Sequence, residues 1–181
     1  MTNLVGMPLP SGLTLLQTVN GTGASGVLTL TVPAGYLSAE IDLQGRGDQV
    51  ATNTAVRVAF NADATATSYN DQQLQVSNTT LTGGENLGAN GFITGTNVAA
   101  ASSTANVHTR LKIELPEYAA TDKFKVVDIH QGGALSLATG LVLLRLVTGV
   151  YESTSAITSV TLTLASGNWT TTTIARLWGK R

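Results

Sequence analysis

Residues 156–181 read AITSVTLTLASGNWTTTTIARLWGKR. Val160, Leu162 and Leu164 alternate with Ser159, Thr161 and Thr163. Successive strand side chains point to opposite faces, so three apolar groups line one face and three hydroxyls the other. Ser166-Gly167-Asn168 supplies residues that tolerate turn conformations. Thr173 to Trp178 then brings back β-branched and aromatic residues, a second strand. The plainest expectation is a hairpin of a β-domain, its last strand locked into a sheet.

The same two-residue period recurs upstream. Leu13–Thr18 and Val27–Val32 read as strands flanking a glycine-rich loop. In Leu37–Gln44, Ile41 and Leu43 face inward, with Glu40 and Asp42 outward. Val56, Val58 and Phe60 alternate with Arg57, and Leu111, Ile113 and Leu115 with Arg110, Lys112 and Glu114. Lys123–His130 is a further strand, carrying Phe124, Val126 and Asp128 on one side. Asn61–Gln75 reads as a polar segment and Asn78–Ala105 as a long Gly/Thr/Asn/Ala-rich connection. No segment has a capped helical period. The expected fold is all-β: an antiparallel β-sandwich, jelly-roll-like, of about nine to ten strands. Residues 1–12 are expected to form an extended arm, held open by Pro8 and Pro10, and residues 13–181 a single domain.

Leu135–Val150, the most apolar run, is too short for a membrane helix and is broken by Thr139, Gly140, Arg145 and Thr148. Apolar residues on both faces point to a strand with one side in the core and the other at a subunit interface. Leu141, Leu143 and Val147 are the expected interface residues there, with Leu4, Val5 and Leu9 as anchors on the arm.

Composition narrows the function. Charged residues make up 12% of 181 and the formal net charge is −1. That balance disfavours nucleic acid or an anionic membrane, which need a basic face. With no cysteine, disulfide and thiolate chemistry are excluded. Met1–Gly12 has neither a basic segment nor a sustained apolar core, so a secretion signal is not expected.

Tempting motifs dissolve on inspection. Gly21-Thr-Gly23-Ala-Ser-Gly26 has dinucleotide-fingerprint spacing, but strand periodicity follows where a helix is needed. Arg46-Gly47-Asp48 reads as a glycine turn flanked by an Arg–Asp pair. Asn61, Asp63, Asn70 and Asp71 are oxygen-rich without calcium-loop spacing. His108 and His130 are too few for a zinc site without carboxylates. No nucleophile elbow is present. No catalytic residue, cofactor or metal is expected.

Several segments together resemble a known group. They are Pro33-Ala-Gly-Tyr36-Leu37, Ile41 to Asp48, Val56-Arg57-Val-Ala-Phe60-Asn61-Ala-Asp63 with Tyr69, Leu115-Pro116-Glu117-Tyr118, Ser166-Gly-Asn168-Trp169 and Leu177-Trp178-Gly179. They resemble the small stand-alone structural proteins of tailed bacteriophages, which carry an RFNGD…Y segment, an IPNY turn and a terminal GNF…LYG strand pair. The chain departs from that pattern at Ala62, Leu115, Glu117 and Trp178. The resemblance implies a non-enzymatic virion protein, made in the bacterial host cytoplasm and placed on the particle exterior as a capsid decoration, head fibre or tail-fibre module. It implies a homo-oligomer, a trimer favoured, with capsid or tail proteins as further partners. The alternative is a carbohydrate- or receptor-binding module using a host-surface glycan. Exposed aromatics beside amides and carboxylates suit sugars, and Tyr69, Asn70, Asp71, Gln72 and Trp169 are its candidate residues.

Overall fold

The structure is a computed structural model and describes residues 12–88, 92–136 and 140–181. The chain opens with β1 (Leu13–Asn20), β2 (Val27–Thr31), β3 (Ser38–Gly45) and β4 (Asn53–Phe60). A short 3-10 turn at Ala66–Ser68 leads into β5 (Tyr69–Ser77), β6 (Thr80–Leu87) and β7 (Ile93–Ala99). Next come β8 (Thr109–Pro116), β9 (Lys125–Ser136), β10 (Leu141–Tyr151), β11 (Ser159–Leu164) and β12 (Ile174–Lys180).

The strands form two antiparallel sheets, an eight-stranded one in the order β1-β12-β3-β8-β9-β10-β5-β6 and a four-stranded one in the order β2-β11-β4-β7. The wiring is nested: β1 pairs with β12, β2 with β11, β3 with β8 and β4 with β7. Such nesting, with successive pairs alternating between the sheets, is the topology of a jelly roll. Two hairpins interrupt it. β5–β6 is inserted between β4 and β7, and β9–β10 between β8 and β11. Both join the larger sheet beyond β8, so four strands extend one layer of an eight-strand roll.

Among the described residues this gives twelve strands, where sequence periodicity leads one to expect nine or ten. β5, β6 and β7 fall in segments read as polar or loop-like. β11 and β12 do not form the expected hairpin: they lie in different sheets, and residues 165–173 carry the chain between layers. The last strand is locked in place as expected, flanked by β1 and β3.

The core lies between the layers. Ile41, Leu43, Leu111, Ile113, Val127 and Ile129 come from the large sheet, and Leu28, Leu30, Val58, Phe60, Val160 and Leu162 from the small one. Burying each such side chain stabilises by about 1.5–3 kcal/mol. β7 packs across β8, β9, β10 and β5, so the small sheet reaches over the start of the extension. Ile93 of β7 packs against Gly149 of β10, where a Cβ would stand 2.5 Å from the isoleucine Cδ1. Any larger residue there would force the isoleucine side chain to move.

At one end, Phe60, Tyr69 and Tyr151 form an aromatic cluster with ring centroids 5.0–6.1 Å apart. The Tyr69 hydroxyl accepts from the Phe60 N–H at 3.0 Å and donates to the Asp63 carbonyl at 2.9 Å.

Candidate functional site

The outer face of the large sheet divides into two chemically distinct halves. Directly opposed residues of an antiparallel sheet share a face, so the registers place each row.

The first half spans β3 and β8. Glu40, Asp42, Arg110, Lys112 and Glu114 project outward, opposite the buried set Ile41, Leu43, Leu111, Ile113 and Leu115. Arg110 holds Asp42 in a two-pronged contact at 2.7 and 3.2 Å. Lys112 lies 2.6 Å from Glu114 and 3.1 Å from Glu40. The hydrogen bond to Asp42 raises the Arg110 pKa, and the one to Glu114 raises that of Lys112. The Lys112 ammonium in turn holds the Glu114 carboxyl below its ordinary value. Exposed pairs of this kind are worth about 0–1 kcal/mol each. Their main effect is to neutralise this half of the face internally.

The second half spans β10, β5 and β6, and it is apolar. Leu144 faces Val76, which faces Leu81, and Leu146 faces Leu74. Val126 on β9 faces Val150 on β10. Leu144 is 53% exposed, Leu146 43%, Leu74 48% and Leu81 64%. Val142 belongs to the same outward set. At the seam between the halves, His130 sits between Leu146 and Lys112, and Gly132 between Leu144 and Arg110, leaving a shallow depression.

The expected interface on β10 requires correction. Leu143 and Val147 are 3% and 2% exposed, and Leu141 is half-buried. They take the inner face because the pleat fixes one parity inward. The strand does have one core side and one open side, but the open side is Val142, Leu144 and Leu146. Leu4, Val5 and Leu9 lie outside the described residues.

The expected sugar-binding set also requires correction. Tyr69 and Trp169 are fully buried and Asp71 nearly so. Trp169 donates its ring N–H to the Leu162 carbonyl at 3.3 Å, and Asp71 accepts from the Asn86 amide at 3.1 Å. The Asn70 amide donates to Glu152. Only Gln72 points outward and exposed, in the row of Thr148 and Asp128. Neither aromatic ring is open to stack on a ligand.

The remaining motifs are fasteners. Arg46 and Asp48 do not pair as expected: Arg46 donates to carbonyls of the 101–107 loop, and Asp48 accepts from Asn168. Gly21 and Gly23 donate their N–H groups to the carbonyls of Thr173 and Trp169. Asn61, at φ 54°, accepts from the Thr158 N–H at 2.8 Å and donates to the Ala156 carbonyl. Burial would raise the Asp63 pKa, but hydrogen bonds from Thr65, Ser68 and Tyr151 outweigh it and hold the carboxyl low. Tyr118 donates to the Pro33 carbonyl at 2.5 Å. Among the described residues, no group of three His, Asp or Glu side chains is placed to hold a metal ion. Among the described residues, no helix is long and apolar enough to cross a membrane. The segments behind the phage resemblance thus supply core strands and the turns that fasten them.

The chain matches no known protein family, no curated protein and no solved structure.

Proposed function

We propose that this chain is a non-enzymatic structural subunit of a tailed-phage particle, sited on its exterior, that assembles with copies of itself. The observation that carries the proposal is the apolar band of Leu74, Leu81, Leu144 and Leu146 on an open sheet face. Contiguous exposed apolar surface marks an interaction site, because leaving it in water costs free energy that a partner removes. The adjoining charged half is paired internally, which fits a structural role. Jelly rolls serve in viral capsids, in lectins and in cupins, so the fold alone does not choose among them. The choice of a virion rests on the sequence resemblance. The glycan alternative loses its aromatic platform, because Tyr69 and Trp169 are interior.

Sedimentation velocity at micromolar concentration tests assembly. The wild-type chain is expected to sediment as an oligomer. A Leu144→Asp/Leu146→Asp variant is expected to shift to smaller species with an unchanged circular dichroism spectrum, since both positions are exposed. A monodisperse wild-type monomer overturns the reading. A gold label at the exposed Arg181, imaged on purified particles, tests the exterior location.

A further inference from the structure

The two sheets have four lateral edges: β1 and β6 on the large one, β2 and β7 on the small one. Three of them are blunted. β1 breaks register between Leu15 and Gln17, and the Gln17 side chain accepts from the Thr31 N–H of β2 at 2.8 Å. That single bond ties two edges together. β7 breaks register against β4. Its Asn97 and Ala99 N–H groups donate to the side chains of Gln131 and Thr109.

Among the described residues, β6 has none of these protections. All eight of its residues pair with β5 without a register shift. It contains no proline or lysine, and its one charge is Glu85. Seven of the eight residues are exposed in the pattern eeeeeeie. An unguarded, regular edge is a template for another strand.

Resting on the self-assembly reading above, we propose that β6 pairs antiparallel with β6 of a second copy, centred on Gly84, joining the two large sheets into one. The sequence of the edge selects both partner and register. Leu81, Gly83, Glu85 and Leu87 share the outward face. A two-fold axis normal to the sheet keeps outward residues opposite outward residues. Centring on Gly83 sets Leu81 against Glu85, and centring on Glu85 sets two like charges opposite each other. Centring on Gly84 sets Leu81 against Leu87 in both directions and Glu85 against Gly83. Only that register covers both leucines, each 64% exposed, with apolar partners and leaves the carboxylate opposite a residue without a side chain. The inner-face pairs are then Gly84 with itself and Thr82 with Asn86, which are uncharged. The contact also carries each row of Leu81, Val76 and Leu144 on into Leu87 of the second copy. A two-fold contact closes as a dimer, in place of the trimer expected from the sequence.

The absence of cysteine makes the test clean. Directly opposed residues in an antiparallel pair have Cα atoms about 4.5–5.5 Å apart, within disulfide reach. Leu81→Cys and Leu87→Cys chains are purified separately, then oxidised alone and mixed. The mixture is expected to give a covalent dimer. Either variant alone is expected to give none, because six residues place like positions about 20 Å apart. Cross-linking of Leu81→Cys with itself, or none in the mixture, overturns the β6 contact. If the wild type still sediments as an oligomer in that case, assembly stands and uses another surface. If it is monomeric, both readings fail.

Discussion

Arg46 donates from its guanidinium to the carbonyl oxygen of Thr104 at 2.9 Å. The same side chain reaches the carbonyls of Val107 at 2.8 Å, Ser103 at 3.2 Å and Ala101 at 3.4 Å. One cation thereby organises the whole loop between β7 and β8. Replacing it strands several carbonyls at once, so Arg46→Ala is expected to cost about 2–3 kcal/mol of unfolding free energy. Arg46→Lys recovers only part of that, because an ammonium lacks the planar fork. Chemical denaturation of the three proteins checks the order wild type, Lys, Ala.

Tyr69, Tyr118 and Tyr151 share a feature that alkaline pH exposes. Burial pushes all three phenols above their ordinary value. The folded chain therefore holds these protons more tightly than the unfolded chain does. The resulting stability is complete below the unfolded value of about 10 and declines as pH rises past it. Melting temperature is expected to fall above about pH 10. Tyr69→Phe leaves the buried Phe60 N–H without its acceptor and costs about 1–3 kcal/mol at neutral pH. The same substitution shallows the alkaline decline. A melting series at rising pH, run on both proteins, measures each effect.

Asp48 produces the opposite limb. The backbone N–H of Asn168 at 2.6 Å, then its side-chain amide at 3.1 Å, hold the carboxyl below its ordinary range. A depressed carboxylate contributes stability above its unfolded value of about 3.9, and that contribution disappears as pH falls through the folded value. Asp48→Asn is therefore expected to melt earlier than wild type at neutral pH. The two curves are expected to converge as pH falls below the ordinary carboxylate range. Parallel curves throughout this range remove Asp48 from the account of acid stability.

Much of the roll was legible in the residues, and the misses have physical causes. Ile41, Leu43, Leu111, Ile113 and Leu162 alternate with polar neighbours, and each lies in the core as the alternation requires. β10 is different. Leu141, Val142, Leu143, Leu144, Leu146 and Val147 are apolar on both parities, so alternation alone does not say which parity faces out. That choice is fixed by pairing, with Leu146 opposite His130 and Leu74. β6 carries no signal because both of its faces meet solvent, leaving Thr, Gly, Glu and Asn where a half-buried strand would alternate. Tyr69 and Trp169 misled because an aromatic beside amides fits a sugar site and a turn-anchoring core residue equally well. Only their burial separates the two.

The first-with-last pairing of β1 and β12 has a further consequence for how the molecule is made. During synthesis β1 emerges early and waits for residues 174–180 before its neighbour exists. Until then the large sheet lacks the strand that joins β1 to β3. Long-range pairing of this kind folds slowly and leaves unfinished edges open to other chains. Closure of the large sheet is therefore expected to wait for β12, and the stage before it to be the one at which aggregation competes.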